Sequence, residues 1–314
     1  MNPKDNLAKI SPNSFFYMQQ LMLDKRDREK IENAVVAVAG IGGVSSYALE
    51  LLVRNGFKNF KIADFDGYEE RNVYQLFITR KDIGRPKLDT AIERLRAINP
   101  EVKISSYSEG VHSKNIDAFL SGVDVVCAQT DSLASQIILY YGANKNKVPL
   151  IHAGRAEWPK NKNLVTAFVY DFRESKEEFD LKLLGLATNV WGANNIELLE
   201  EMVVRLKRQE DCSDLVKKIN KSNEEYRKEV FFDTIKTSDV PRISDKPREY
   251  LLRVAELYPE SFHKMAVTPE LGAIAGSLVV ATLKDIILNR PIKRLAINLY
   301  NGELFENYGT QNNR

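Results

Sequence analysis

The segment Val35–Asp66, VVAVAGIGGVSSYALELLVRNGFKNFKIADFD, limits what this chain can fold into more than any other stretch. A fully apolar run, Val35–Ala39, leads directly into a glycine cluster, Gly40, Gly42 and Gly43. An amphipathic stretch, Tyr47–Asn55, follows, and a second apolar run ends in two acids, Asp64 and Asp66. The order reads strand, phosphate loop, helix, strand, acid. Small residues let a ligand approach the backbone, and a helix start presents free N–H groups with partial positive charge. An acid about twenty residues on can accept from ribose hydroxyls. The loop is Gly-Ile-Gly-Gly-Val-Ser, with Ser45 where a third glycine would complete GxGxxG. Taken alone it is either a tight turn or a nucleotide loop, and it does not separate NAD, FAD, S-adenosylmethionine and ATP.

Strand and helix signals alternate on either side of this unit. Ser14–Glu32 reads as a helix or two leading into the fold, and Val35–Ala39 as a strand buried on both faces. Ser45–Asn55 is the first crossover helix, stopped by Asn55-Gly56. Phe60–Asp64 is a second strand, Gly67–Lys87 a polar loop, and Lys87–Ile98 a helix with one apolar face started by Pro86. Val102–Ser106, Val123–Ala128 and Val148–Ala153 read as strands. Asn115–Leu120 and Ser132–Asn144 are the helices between them, and Leu164–Tyr170 is a further strand. This alternation predicts an α/β, doubly wound, Rossmann-like, mostly parallel sheet. The candidate ligand residues fall just past strand C-termini: Gly40–Gly43, Asp64–Asn72, Asp131 and His152–Arg155. That is the edge at which open α/β sheets bind ligands.

Four regions follow: a loose arm over 1–14, a nucleotide-binding core over 15–171, a charged, mainly helical insertion over 172–267, and a return to the core over 268–314. In the insertion, Glu197–Arg208 and Ser213–Lys228 are the clearer helices. In the return, Ala273, Ala275, Gly276 and Ser277 would let a helix pack closely, and Ile292–Tyr300, Asn301-Gly302 and Glu303–Tyr308 read as a hairpin.

Composition narrows the partners. With 45 basic and 43 acidic residues the net charge is +2, which lacks the basic excess of a general nucleic-acid coat. The two cysteines, Cys127 and Cys212, form no CxxC pair and exclude a four-cysteine zinc site. Cys127 reads as core. Cys212, in QEDCSD, reads as an exposed helical position whose acids would raise its pKa, a poor setting for a nucleophile. Two cysteines and an N-terminus without an apolar signal core suit a reducing cytoplasm. No apolar run approaches the roughly eighteen residues of a membrane span.

The wider motif set resembles the ThiF/E1 superfamily, enzymes that adenylate a C-terminal carboxylate of ubiquitin-like or small peptide substrates. The resemblance covers roughly Phe16–Ala153 and Thr268–Leu288. The family's GxGGxG loop is matched by Gly40, Gly42 and Gly43, and its D-x-D segment with a following Asn by Asp64, Asp66 and Asn72. Its G-x-x-K is matched by Gly84 and Lys87, followed by the family-like IERLRAINP, Ile92–Pro100. Its D-x-x-D before a helix keeps only Asp131, with Ala128 in place of the first acid. Pro269–Lys284 resembles the late family helix.

The resemblance implies roles. The glycine loop and Asp66 would lie beside ATP, and Asp64 would hold the ribose hydroxyls. Asn72 and Lys87 would touch phosphates, Lys87 countering charge as the α-phosphate is attacked. Asp131 would hold Mg²⁺, which takes oxygen ligands; as a plain structural residue it would be a helix N-cap. Arg54 would be helix surface or a minor contact. Apart from the resemblance, His152, at a strand end in LIHAGR, could contact substrate, act as a base or be structural, and Trp158 and Trp191 could line a groove or pack the insertion. A homodimer is implied, and the substrate could be a ubiquitin-like tail, a ribosomal peptide or a modified tRNA base.

Two family arginines are missing. Gln19 stands where an early helix usually carries Arg, and Asn72-Val73-Tyr74-Gln75-Leu76 lacks the arginine three residues after the Asn. Arg71, Arg80, Arg85 or Arg155 could replace them. The zinc cysteines of many members are absent too. Three readings stay open: an adenylating enzyme, a degenerate nucleotide- or peptide-binding partner without turnover, and an NAD-dependent oxidoreductase.

Overall fold

The structure, a computed structural model, describes residues 17–75, 78–155, 164–175, 179, 196–237, 269–292, 295–298 and 304–306. The arm over 1–14, Trp158, Trp191 and the tip of the C-terminal hairpin lie outside the described residues. Strands β1 (Val35–Ala39), β2 (Asn59–Ala63), β3 (Lys103–Tyr107), β4 (Val125–Ala128), β5 (Leu150–Arg155), β6 (Leu164–Tyr170), β7 (Leu295–Asn298) and β8 (Leu304–Glu306) form one sheet in the order β3-β2-β1-β4-β5-β6-β7-β8. The first five pair in parallel, and β6, β7 and β8 extend the sheet antiparallel.

Helices α1 (Tyr17–Met22) and α2 (Lys25–Asn33) lead into β1. Helices α3 (Ser45–Arg54) and α5 (Lys87–Ile98) cross over from β1 to β2 and from β2 to β3; a short helix, α4 (Asn72–Gln75), lies in the loop between β2 and α5. Helices α6 (Ile116–Leu120) and α7 (Leu133–Asn146) precede and follow β4; α8 (Ile196–Lys207), α9 (Ser213–Thr237) and α10 (Pro269–Ile287) come between β6 and β7.

Period-two alternation splits the buried strands between two cores. Val36 and Val38 of β1 pack with Leu49, Leu52, Leu88, Leu95 and Val279, from α3, α5 and α10. Ala37 and Ala39 face the other way, onto α6 and α7. Helices therefore cover both faces, which is why the central strands read as continuous apolar runs. In α7, 11 of its 14 residues are buried. A helix that apolar on every side needs an outer layer, and Leu199, Met202, Leu215 and Ile219 of α8 and α9 supply it.

Helix α10 packs on α3 through glycine. A Cβ at Gly272 would stand 2.3 Å from the Gly43 carbonyl oxygen, and one at Gly276 would stand 3.0 Å from that of Val44. Close packing by small residues thus holds for Ala275 and Gly276, but Ser277 is exposed and Gly272 makes the closest approach.

Candidate active site

The register of the central strands builds the site. Ala39 of β1 pairs with Ala63 of β2 on one side and Ala128 of β4 on the other, so the three strands end level. The ladder runs one step further: the Gly40 N–H donates to the Ala63 carbonyl at 2.8 Å, and the Gln129 N–H to the Ala39 carbonyl at 2.9 Å. Gly40, Asp64 and Gln129 therefore start side by side at the sheet's C-terminal edge.

Gly40 is at φ +87°, and a Cβ there would lie 2.7 Å from the Gln129 carbonyl oxygen. Both the left-handed backbone and the close approach call for glycine. Gly42 differs, since a Cβ there would meet nothing within 4 Å. Ser45, the residue in the third glycine's place, is fully buried. Its hydroxyl donates to the Gly40 carbonyl and accepts from the Gly42 N–H at 3.3 Å, closing the loop on itself.

A hydrogen-bonded chain leads outward from this loop. The Ile41 N–H donates to Asp64 Oδ2 at 2.5 Å, and the Asp66 N–H donates to Asp64 Oδ1 at 2.8 Å. The Asp66 carboxylate accepts from Lys87 Nζ at 2.9 Å, and its carbonyl from the Lys87 N–H at 2.9 Å. Lys87 reaches Asp66 because the intervening loop folds back: Gly67 bridges Pro86, and the Tyr68 N–H donates to the Arg85 carbonyl. Asp64 is buried, and burial raises its carboxyl pKa against the opposing pull of the two N–H bonds and Lys87. Each Asp64 oxygen has taken one N–H and retains acceptor capacity. Phe65, between the two acids, is 73% exposed, with its ring against Gly110. Its signal in the sequence is an aromatic residue set between two acids, two residues past the strand end.

Asn72 heads α4, which packs against α10, and its Oδ1 accepts from the Glu69 N–H at 2.8 Å. Asp131 is exposed beyond β4, two residues before the first residue of α7. The α7 cap is Ser132, whose hydroxyl accepts from the Ser135 N–H. The N-cap alternative for Asp131 is thereby corrected: the hydroxyl residue next to it takes that position.

Other expectations change as well. His152 lies within β5 rather than past its end, and its Nδ1 bonds the Ala128 carbonyl at 2.7 Å. A carbonyl accepts only, so Nδ1 carries the proton, and burial lowers the pKa of this ring. Cys212 is fully buried in the turn between α8 and α9, not exposed on a helix, and burial raises its thiol pKa. Cys127 is also buried, with a thiol pushed up to about 12.

Gln19 donates to the Asn55 carbonyl at the C-terminal end of α3, and its amide fills the space beside Gly56. The ten residues of α3 place it about 15 Å of helix from the glycine loop. Arg71 pairs with Glu69, Arg80 with Glu70, and Arg85 with Asp82 and Glu93. Arg54 pairs with Glu50. The side chain of Arg155 lies outside the described residues.

A doubly wound sheet with a glycine loop and an acid at adjoining strand ends defines a nucleotide-binding α/β protein. The chain belongs to the ThiF family, whose model matches residues 17–301. It is 30% identical over 142 residues to ubiquitin-like modifier-activating enzyme 5 of Oryza sativa subsp. japonica, covering 41% of this chain and 34% of that protein. It is 33% identical over 141 residues to tRNA threonylcarbamoyladenosine dehydratase of Bacillus subtilis (strain 168), covering 43% of this chain and 54% of that one. The match thus spans about a third to a half of these curated relatives. The crystal structure of E. coli MccB with AMPCPP and MccA superposes at a TM-score of 0.57 and 15% identity, covering 96% of this chain and 72% of that one. At that identity the likeness is one of fold.

Proposed function

We propose that this protein is an ATP-dependent adenylating enzyme that activates a carboxylate, at a protein or peptide C-terminus, as an acyl-adenylate. The observation that carries the reading is the bonded chain from Ile41 through Asp64 and Asp66 to Lys87. It lines a phosphate loop, a ribose acceptor and a cation along one sheet edge. The names of the relatives, one acting on ubiquitin-like modifiers, and the MccB structure with AMPCPP and MccA support it.

The residues fit the groups they would hold. Gly42 leaves open space for a phosphate, and Asp64 has lone pairs left for ribose hydroxyls. The exposed ring of Phe65 offers a flat apolar surface for a base. Among the described residues no group of three or more His, Cys, Asp or Glu could hold a metal. Magnesium needs only one or two carboxylates beside substrate phosphates and water, and Asp131 suits that. Bound there, it would neutralise phosphate charge.

In the reaction the substrate carboxylate oxygen bonds to the α-phosphorus. The bond from that phosphorus to the bridging oxygen breaks, and pyrophosphate leaves with the electron pair. No protein nucleophile is required: Asp64 and the loop position the nucleotide, and Lys87 and Asn72 meet charge on the phosphates. The insertion over 172–267 would select substrate. A homodimer in a reducing cytoplasm fits the family and the two free cysteines.

A nucleotide-binding partner without turnover is the second reading. It is favoured by Gln19 bonding Asn55 and by Arg71, Arg80 and Arg85 being spent on acidic neighbours. Exchange of labelled pyrophosphate into ATP, with candidate carboxylate substrates, separates the two. Adenylation predicts exchange that Asp131→Ala and Lys87→Ala abolish; ATP binding with no exchange for any carboxylate supports the partner role.

A further inference from the structure

The insertion grips the nucleotide edge at two loops. The loop after β3 is held by Lys114 Nζ on Asp211 Oδ2 at 2.8 Å, and by the Cys212 N–H on Ser113 Oγ at 3.4 Å. The loop after β4 is held by Ser132 Oγ, which donates to Asn220 Oδ1 at 2.9 Å. Beneath these bonds Cys212, Leu215 and Ile219 are fully buried. From Cys212 to Asn220 the helix rises about 12 Å. In the sheet, β3 and β4 stand three spacings apart, about 14 Å. Helix α9 therefore matches the span between the two exits.

The Ser132 bond falls where it matters most. Ser132 follows Asp131 directly and caps α7, accepting from the Ser135 N–H at 3.2 Å and bonding Ser135 Oγ at 3.1 Å. A hydroxyl has one proton and two lone pairs. Asn220 takes the proton, which aims the lone pairs at the helix start. Without that acceptor the proton would turn toward Ser135 and compete with the cap.

We propose that Asn220 is a positioning residue for Asp131: through the Ser132 hydroxyl it fixes the start of α7, so the insertion sets the geometry of the metal-side carboxylate. The role of Asp131 rests on the adenylation reading; the bond to Ser132 does not. Amide hydrogen exchange and the magnesium dependence of ATP binding, both on the full chain, test it. In Asn220→Ala, exchange at the Ser135 and Gln136 amides speeds by about two- to tenfold. The Mg²⁺ concentration for half-maximal ATP binding rises by a similar factor, and metal-free ATP affinity stays the same. Asn220→Asp keeps an acceptor for Ser132 and restores slow exchange. Adding Asn220→Ala to Ser132→Ala has little further effect, because both remove one interaction. Unchanged exchange in Asn220→Ala, or full additivity in the double variant, overturns the proposal. Faster exchange with an unchanged magnesium requirement overturns the link to Asp131. If ATP binding by the unaltered protein ignores Mg²⁺, the adenylation reading fails instead, and the exchange rates still decide whether Asn220 sets the start of α7.

Discussion

The two halves of the ligand edge are held in different ways. On the β1–β2 side, the glycine loop, Asp64, Asp66 and Lys87 are bonded to one another within residues 40–87. On the β4 side, the loop with Asp131 is anchored by Asn220, 88 residues further along the chain. The first half is set by local sequence and by strands that end level. The second is tied to helix α9, which packs on α7. On the proposed reading, a change far away in sequence costs the β4 half of the site and leaves the glycine loop intact.

The largest effect should come from breaking the local half at its centre. Asp64→Ala leaves the Ile41 and Asp66 N–H groups without their acceptor; removing one partner of a buried bond costs about 1–3 kcal/mol. Calorimetry should show ATP binding lost, and urea denaturation a matching fall in stability. Wild-type ATP affinity in this variant would remove Asp64 from the site.

The glycines sharpen the same half. Gly40→Ala forces a Cβ against the Gln129 carbonyl at positive φ, a strain of about 1–3 kcal/mol. Gly42→Ala meets nothing within 4 Å and should change stability by no more than about 0.5 kcal/mol, while ATP affinity falls. Equal destabilisation by the two would show that Gly42 serves the fold rather than the ligand.

Asp66→Asn tests the outer link. The Asp66–Lys87 pair is partly exposed, and such pairs contribute up to about 1 kcal/mol. The ATP dissociation constant should rise by about two- to fivefold with little change in unfolding midpoint. A variant that binds tighter would mean that Asp66 withholds Lys87 from the phosphate.

The smallest effect concerns His152. Its folded pKa is depressed by burial. The associated stability is therefore present above its unfolded value, about 6.5, and is lost as pH falls through the folded value. Urea midpoints should drop over that window in the wild type and less so in His152→Gln. A proton-NMR titration of His152 at or above an ordinary imidazole value would contradict this.

Much of the fold was legible because its signals are local. Val35–Ala39, Lys87–Ile98 and Leu164–Tyr170 have the bounds their apolar runs and Pro86 suggest. The loop residues were readable because they follow strands directly. What escaped were relations across the chain. The burial of Cys212 depends on α8 and α9 covering α7, while the charged run QEDCSD points to solvent. The grip of Asn220 on Ser132 and the seat of Gly272 on Gly43 join segments with no shared sequence signal. Gln19 could be seen to replace an arginine, but its bond to Asn55 required α1 to be placed against the end of α3.

Titration calorimetry of the full chain with ATP, with and without Mg²⁺, and with NAD, tests the central claim most directly. The expected result is ATP binding that Mg²⁺ strengthens and Asp64→Ala abolishes, with loss of the magnesium effect in Asp131→Ala and no binding of NAD. Binding of NAD in preference to ATP, or ATP binding that survives Asp64→Ala, would contradict it.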